Sequence, residues 1–354
     1  MNPQPTGVAP AADPHVRTPR RSAAAVAIGL AIASTLLATL PGCGSPRSAI
    51  PGLPASAEQA AASRYEVEVR DMAWSDASRE REIPVRLYLP RSDRPVPIVV
   101  FSHGLGGSRF GYSHLGQHWA ANGIAALHLQ HPGSDREVWR SQGLAVVSAM
   151  LSAATTENAI ARAADVSFVI DRIVGDKELR SLIDPSRIGV AGHSFGANTA
   201  LLASGARFRL DDQVVSYGDA RVRAAVILSA PSLPPDQDPW FVYTPISVPT
   251  LHLTGTRDTI ALPVVGSAPD ERRVPFDSMV SGPRYLGVFE DGRHTMFNDR
   301  SRDATSQAIK ASTRAITLAF WRAVLLGDSA SRALLAAPAL SGASAPLATW
   351  ESRR

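Results

Sequence analysis

A serine, an aspartate and a histidine, in that order along the chain, carry the chemistry this sequence offers. Ser194 lies in VAGHSFGAN (190–198) between Gly192 and Gly196, where an apolar run gives way to a helix-like pattern. Asp258 lies in HLTGTRDT and His294 in YLGVFEDGRHTMF. A serine hydroxyl attacks an acyl carbon when a histidine takes its proton and a carboxylate orients that histidine. G-x-S-x-G alone recurs by chance, and a serine there can be only a turn residue. Here RIGVA before it has the composition of a strand and FGANTALLA after it that of a helix, so Ser194 is expected on a sharp strand-to-helix turn. Side chains at Gly192 and Gly196 would collide with the neighbouring strand and helix. The turn also sets the serine at a helix N-terminus, where free N–H groups favour developing negative charge. A second glycine-rich loop, FSHGLGG (101–107), lets the backbone bend at Gly104, Gly106 and Gly107. The N–H groups of Leu105 and Phe195 are the expected pair of oxyanion donors.

The elements that must position these residues are legible in the hydrophobic pattern. YEVEV and IPVRLYL alternate apolar with polar residues, as half-exposed antiparallel edge strands do. Six short apolar runs follow at 97–103, 123–131, 187–194, 223–230, 249–255 and 284–290, each ending in a loop. Such runs suit strands covered on both faces, and helical patterns at 112–122, 157–174, 197–204 and 303–326 lie between them. Strands alternating with helices predict an α/β fold, a doubly wound, mostly parallel eight-stranded sheet with helices on both faces. Ser194, Asp258 and His294 then all fall at carboxyl ends of strands, where open α/β sheets place their sites. Asp236, Asp238 and Asp270 could replace Asp258, but Asp258 alone follows a strand end directly.

Residues 1–43 read as an export signal: Arg20 and Arg21 precede SAAAVAIGLAIASTLLATLPGC, an apolar stretch ending in small residues and Cys43. That ending resembles the lipobox of bacterial lipoproteins and makes Cys43 the candidate lipidation site; an uncleaved membrane anchor is the plainer alternative. Either reading places the folded part outside the cytoplasm, in the periplasm or cell envelope or secreted, with membrane attachment through Cys43. Residues 44–63, rich in Pro, Ser, Ala and Gly, read as a flexible tether, 64–335 as the catalytic domain, and 336–354 as an Ala/Ser/Pro-rich tail that packs loosely or frays. Cys43 is the single cysteine, so no internal disulfide forms and multi-thiolate zinc sites are excluded. Beyond the leader, basic and acidic residues nearly balance with no basic stripe, which argues against nucleic acid as a partner.

The segments SHGLGGSRFGYSHLGQHWAANGIAALHLQHPGSD, RAADVSFVIDRI, RIGVAGHSFGAN and FEDGRHTMFND together resemble the secreted bacterial α/β-hydrolases labelled predicted dienelactone hydrolases, relatives of platelet-activating-factor acetylhydrolase. The resemblance runs from about Tyr65 to Leu335. It implies Ser194 as nucleophile, Asp258 as orienting acid and His294 as base, with Leu105 and Phe195 as oxyanion donors. Dienelactone hydrolases in the strict sense use a cysteine nucleophile and this chain has serine, so the label does not define the reaction.

The expected activity is hydrolysis of short-chain carboxylic esters through an acyl-enzyme, on a small-molecule or lipid ester, with no cofactor. Phospholipase A2-like or platelet-activating-factor-acetylhydrolase-like cleavage, lactone hydrolysis and acyl transfer are rivals within the same fold, and a non-catalytic envelope lipoprotein is the rival from another class. Trp240, Phe241 and Tyr243, in PSLPPDQDPWFVYTP, either line an acyl pocket or merely cover the sheet. The insertion at 134–183 has room for two or three helices and is expected to wall one side of the pocket. His103, His114, His118, His128 and His131 invite a metal hypothesis, but the i, i+4 pair His114 and His118 lacks an adjacent glutamate and a third ligand, so no metal is expected.

Overall fold

Apolar runs fully enclosed by their neighbours form the centre of the molecule. The computed structural model describes residues 65–140, 144–260, 268–336 and 347–354. The leader, Cys43 and the tether lie outside the described residues. In chain order the strands are β1 (Val67–Asp76), β2 (Arg81–Pro90), β3 (Val96–Ser102), β4 (Ala125–Leu129), β5 (Ile183–His193), β6 (Arg207–Leu210), β7 (Gln213–Ser216), β8 (Val222–Leu228), β9 (Thr250–Arg257), β10 (Arg284–Arg293) and β11 (Leu347–Arg353). The helices are α1 (Ser113–Ala121), α2 (Leu144–Ala153), α3 (Thr156–Gly175), α4 (Lys177–Leu182), α5 (Phe195–Ala203), α6 (Pro239–Tyr243), α7 (Val274–Ser278), α8 (Ala304–Leu325) and α9 (Ser329–Ala336).

Nine strands form one sheet in the order β1-β2-β4-β3-β5-β8-β9-β10-β11. β4, β3, β5, β8, β9 and β10 run parallel, and β1, β2 and β11 complete the two edges with antiparallel pairings. β3 and β4 are buried along their whole lengths, whereas β1 alternates, as the sequence patterns require. One face packs against α3 and α5, through Val166, Ile170, Ala197 and Leu201. The other packs against α1 and α8, through Leu115, Trp119, Phe320 and Trp321. The chain leaves β3 for β4 on one side and returns to β5 on the other. The carboxyl ends of β3 and β5 therefore flank the point where strand order reverses, the place at which open α/β sheets hold their ligands.

The expected eight-stranded sheet has a ninth strand. Residues 347–353, expected to belong to a fraying tail, pair antiparallel with β10 as β11, and the Trp350 ring stacks on Tyr285 at 6.1 Å. The open edge of β10 supplies the backbone partners and Trp350 the apolar contact, neither of which is visible in the composition of the tail. A short hairpin, β6 and β7, stands apart from the main sheet.

Candidate active site

β5 delivers Ser194 and α5 begins immediately after it. The serine takes φ 56° and ψ −121°, a left-handed conformation that a non-glycine residue adopts only under tight constraint. The constraint is close approach: a Cβ on Gly192 would lie 2.0 Å from the Gly196 carbonyl oxygen, and one on Gly196 would lie 2.0 Å from that of Ser102 in β3. The expected collisions are thus with the serine's own helix and with the neighbouring strand. The Ser194 N–H donates to the Leu228 carbonyl at 2.9 Å, which ties the turn to β8.

Three strand ends converge on the serine. His294 opens a 3-10 turn (His294–Phe297) directly after β10, and its Nε2 is 2.9 Å from Ser194 Oγ. His294 Nδ1 is 2.8 Å from Asp258 Oδ1, in the loop just past β9. Asp258 is completely buried, and burial alone would raise its pKa. The hydrogen bond and charge of His294, the Arg272 guanidinium and the Ser229 hydroxyl outweigh that and hold it at about 2. An ionised carboxylate only accepts hydrogen bonds, so His294 Nδ1 carries the proton and Nε2 presents its lone pair to the serine hydroxyl. This arrangement can transfer the hydroxyl proton to imidazole as oxygen attacks.

The aspartate is held by groups that no sequence motif marked. Its Oδ2 accepts from the Ser229 hydroxyl and, at 2.8 Å, from Thr254 Oγ1. Buried Arg272 stands 3.2 Å from Oδ1, and donates to the Ala230 carbonyl at 2.7 Å and the Asp258 carbonyl at 3.3 Å. The histidine is fixed from behind. Its ring packs against that of His193 with centroids 4.7 Å apart, and its carbonyl accepts from His193 Nε2 at 2.9 Å. His193 Nδ1 consequently accepts the Tyr112 hydroxyl at 2.7 Å. Burial, then the charge of His294, pushes His193 down to about 3, so it stays neutral.

The glycine-rich loop after β3 lies against the serine: a Cβ on Gly104 would be 3.4 Å from Ser194 Cβ. The Leu105 N–H has no acceptor among the described residues, and Phe195, as the first residue of α5, has an N–H without an intrahelical acceptor. Trp139 covers this loop, its Nε1 donating to the Gly106 carbonyl at 2.7 Å. That residue comes from the 134–183 insertion, whose 3-10 turn (Arg136–Arg140), α2, α3 and α4 add no separate cap among the described residues.

The three aromatic residues considered for an acyl pocket diverge, because successive residues of the five-residue α6 point in different directions. Trp240 is 56% exposed, and Phe241 lies between the guanidinium groups of Arg207 and Arg209, at 4.3 and 4.2 Å. Tyr243 alone lines a cavity, of about 290 Å³, together with Leu202, Phe208, Leu233 and Asn198. The histidines considered for metal separate too. His114 bonds the Phe297 carbonyl, His128 bonds the Gly111 carbonyl, and His103 and His131 form a buried chain described below. Among the described residues no cluster of three His, Cys, Asp or Glu side chains is arranged to hold an ion.

A mostly parallel sheet, a strained serine turn at the strand-order reversal and a histidine and acid arriving from the last parallel strands define an α/β-hydrolase. Residues 85–141, from β2 through the Gly104–Leu105 loop to Trp139, match the family of platelet-activating factor acetylhydrolase, isoform II. Residues 180–265, which contain Ser194 and Asp258, match the serine hydrolase family FSH1. No curated protein gives a significant match. Both matching families are serine hydrolases, and the chain is an ester-hydrolysing serine hydrolase similar to the platelet-activating-factor acetylhydrolases.

Proposed function

We propose that the protein hydrolyses short-chain acyl esters through a Ser194–His294–Asp258 triad and a covalent acyl-enzyme. The observation that carries this reading is the unbroken hydrogen-bond chain from Ser194 Oγ through His294 to Asp258. His294 takes the serine proton as Oγ attacks the acyl carbon, and returns it to the leaving alcohol. The Leu105 and Phe195 N–H groups bind the oxyanion, and Asp258 stabilises the imidazolium. Water activated by the same histidine then releases the acid. The cavity of about 290 Å³ that reaches Asn198, one helical turn beyond Ser194, is lined by none of Ser194, Asp258, His294, Leu105 and Phe195 and therefore does not set the acyl length.

Hydrolysis of p-nitrophenyl acetate, butyrate and octanoate by the protein and its Ser194→Ala variant tests the reading. Turnover lost in the variant and falling from acetate to octanoate is expected; equal turnover by both folded proteins refutes it. The match of residues 85–141 favours a lipid ester as the natural form of the substrate, so a phospholipid bearing an sn-2 acetyl group belongs in the same assay. Export and lipid attachment at Cys43 complete the proposal. Incorporation of labelled palmitate into the wild type and not into Cys43→Ala is the expected result.

A further inference from the structure

Beneath the oxyanion loop lies a buried polar network that the proton-transfer chain does not use. Its centre is Arg162, on α3, whose side chain is fully buried. Nε donates to Thr199 Oγ1 at 3.0 Å, one Nη to Ser134 Oγ at 3.0 Å, and the other Nη to the His103 carbonyl. The guanidinium also lies 4.7 Å from the centre of the Phe195 ring. Burial lowers its pKa to about 9, so it remains charged at neutral pH, and buried Asp165 one turn along the helix is a nearby countercharge.

Two of these partners lead to the Leu105 half of the oxyanion site, and Thr199 leads to the first turn of α5, which Phe195 opens. Thr199 Oγ1 passes its own hydrogen to the Phe195 carbonyl at 3.1 Å. The Ser134 carbonyl accepts the Gly106 N–H at 3.0 Å. The His103 carbonyl belongs to the peptide just before Gly104, and the His103 ring holds the next peptide, Nδ1 donating to the Gly104 carbonyl at 2.7 Å. In a trans peptide the N–H points away from its carbonyl, so gripping the Gly104 oxygen aims the Leu105 N–H in the opposite direction. The His103 ring is itself fixed: Nε2 accepts the His131 N–H at 3.1 Å, and His131 bonds Asp165 at 2.8 Å.

We propose that Arg162 is a positioning residue that sets the Leu105 and Phe195 N–H groups at the spacing an oxyanion requires, by holding the loop after β3 and the start of α5 from a single buried guanidinium. The inference rests on the ester-hydrolase reading of Ser194. It is economical in physical terms, because the two donors come from segments about ninety residues apart in sequence and no direct bond joins them among the described residues. A planar group with five donors in fixed directions can grip three acceptors on different segments, which lysine cannot do.

A thionoester, with C=S in place of C=O, tests this, because sulfur is a weak hydrogen-bond acceptor and gains less from the two N–H groups. Wild type, Arg162→Met and Thr199→Val are compared on p-nitrophenyl acetate and its thiono counterpart, with thermal melts reporting the folded fraction. Arg162→Met is expected to lose about 100-fold in kcat on the oxygen ester, with KM within about threefold, and only about 10-fold on the thionoester. The oxygen-to-sulfur rate ratio thus falls about tenfold. Thr199→Val, which severs only the link to Phe195, is expected to lower the ratio about threefold and serves alone where Arg162→Met does not fold. Activity that tracks the folded fraction with an unchanged ratio overturns the inference while leaving the hydrolase reading intact. Turnover retained by Ser194→Ala overturns that reading and the inference with it.

Discussion

Acidification from pH 7 to pH 5 provides a quantitative test of the interior. His103, His128, His131, His193 and His252 are all at most 4% exposed. Burial, the largest influence on each, favours the neutral form: His128 and His131 are lowered to about 4, His193 and His252 to about 3, and His103 well below its ordinary value. Between pH 7 and pH 5 the native state therefore takes up almost no protons at these sites. The unfolded chain protonates all five around pH ~6.5, so it binds more protons than the native state and stability falls as pH falls. Over this window each histidine that stays neutral in the native state removes on the order of 2 kcal/mol of stability. Asp165 and Asp258, held at about 2, lose their contributions only below about pH 4 and do not enter this window. A typical folded domain has about 5–15 kcal/mol in total, so the loss should be a large fraction of the stability. Urea titrations followed by tryptophan fluorescence at pH 7, 6 and 5 measure the loss, and potentiometry at pH 5 should show several protons taken up on unfolding. A stability constant within about 1 kcal/mol from pH 7 to 5, or uptake of fewer than about one proton, would refute the assignment of these side chains as buried neutral groups.

Asp258→Asn keeps the shape but removes the acceptor that fixes the His294 tautomer, and kcat on p-nitrophenyl acetate should fall about 10³- to 10⁴-fold. The same change strands the buried Arg272 charge, and urea melts should show a loss of about 3–5 kcal/mol. Gly196→Ala places a methyl group against the Ser102 carbonyl, so β3 and α5 must part; about 3 kcal/mol of stability and most activity should go, as melts and steady-state rates would record. Removal of residues 347–354 uncovers the β10 edge and the Tyr285 ring, and should cost about 2 kcal/mol and introduce concentration-dependent association detectable by light scattering.

Much of the scaffold was legible because each central strand is a short apolar run closed by a loop, and a parallel sheet covered on both faces leaves just that pattern. Ser194, Asp258 and His294 could be read for the same reason: each sits at the end of such a run. β11 was not legible, since LATWESR carries few apolar residues and its pairing is supplied by β10, some sixty residues earlier. Arg162, Ser229, Arg272 and Tyr112 escaped for a related reason. Each acts on the site through a contact between segments distant in sequence, and a buried arginine looks like any other arginine until its partners are known. The histidines between 103 and 131 were visible as a group, yet their spacing carried no information on which would be enclosed and bonded to carbonyls. The aromatic residues of α6 stayed open between two readings for the opposite reason, because proximity along five residues does not make one surface.

The covalent intermediate is the centre of the account. Rapid acid quench of the protein during turnover of p-nitrophenyl acetate, followed by proteolysis and mass spectrometry, should find an acetyl group on Ser194 that is lost as the reaction proceeds in water. No acetyl group on Ser194 in an actively hydrolysing sample, or a stable one on another residue, would contradict it.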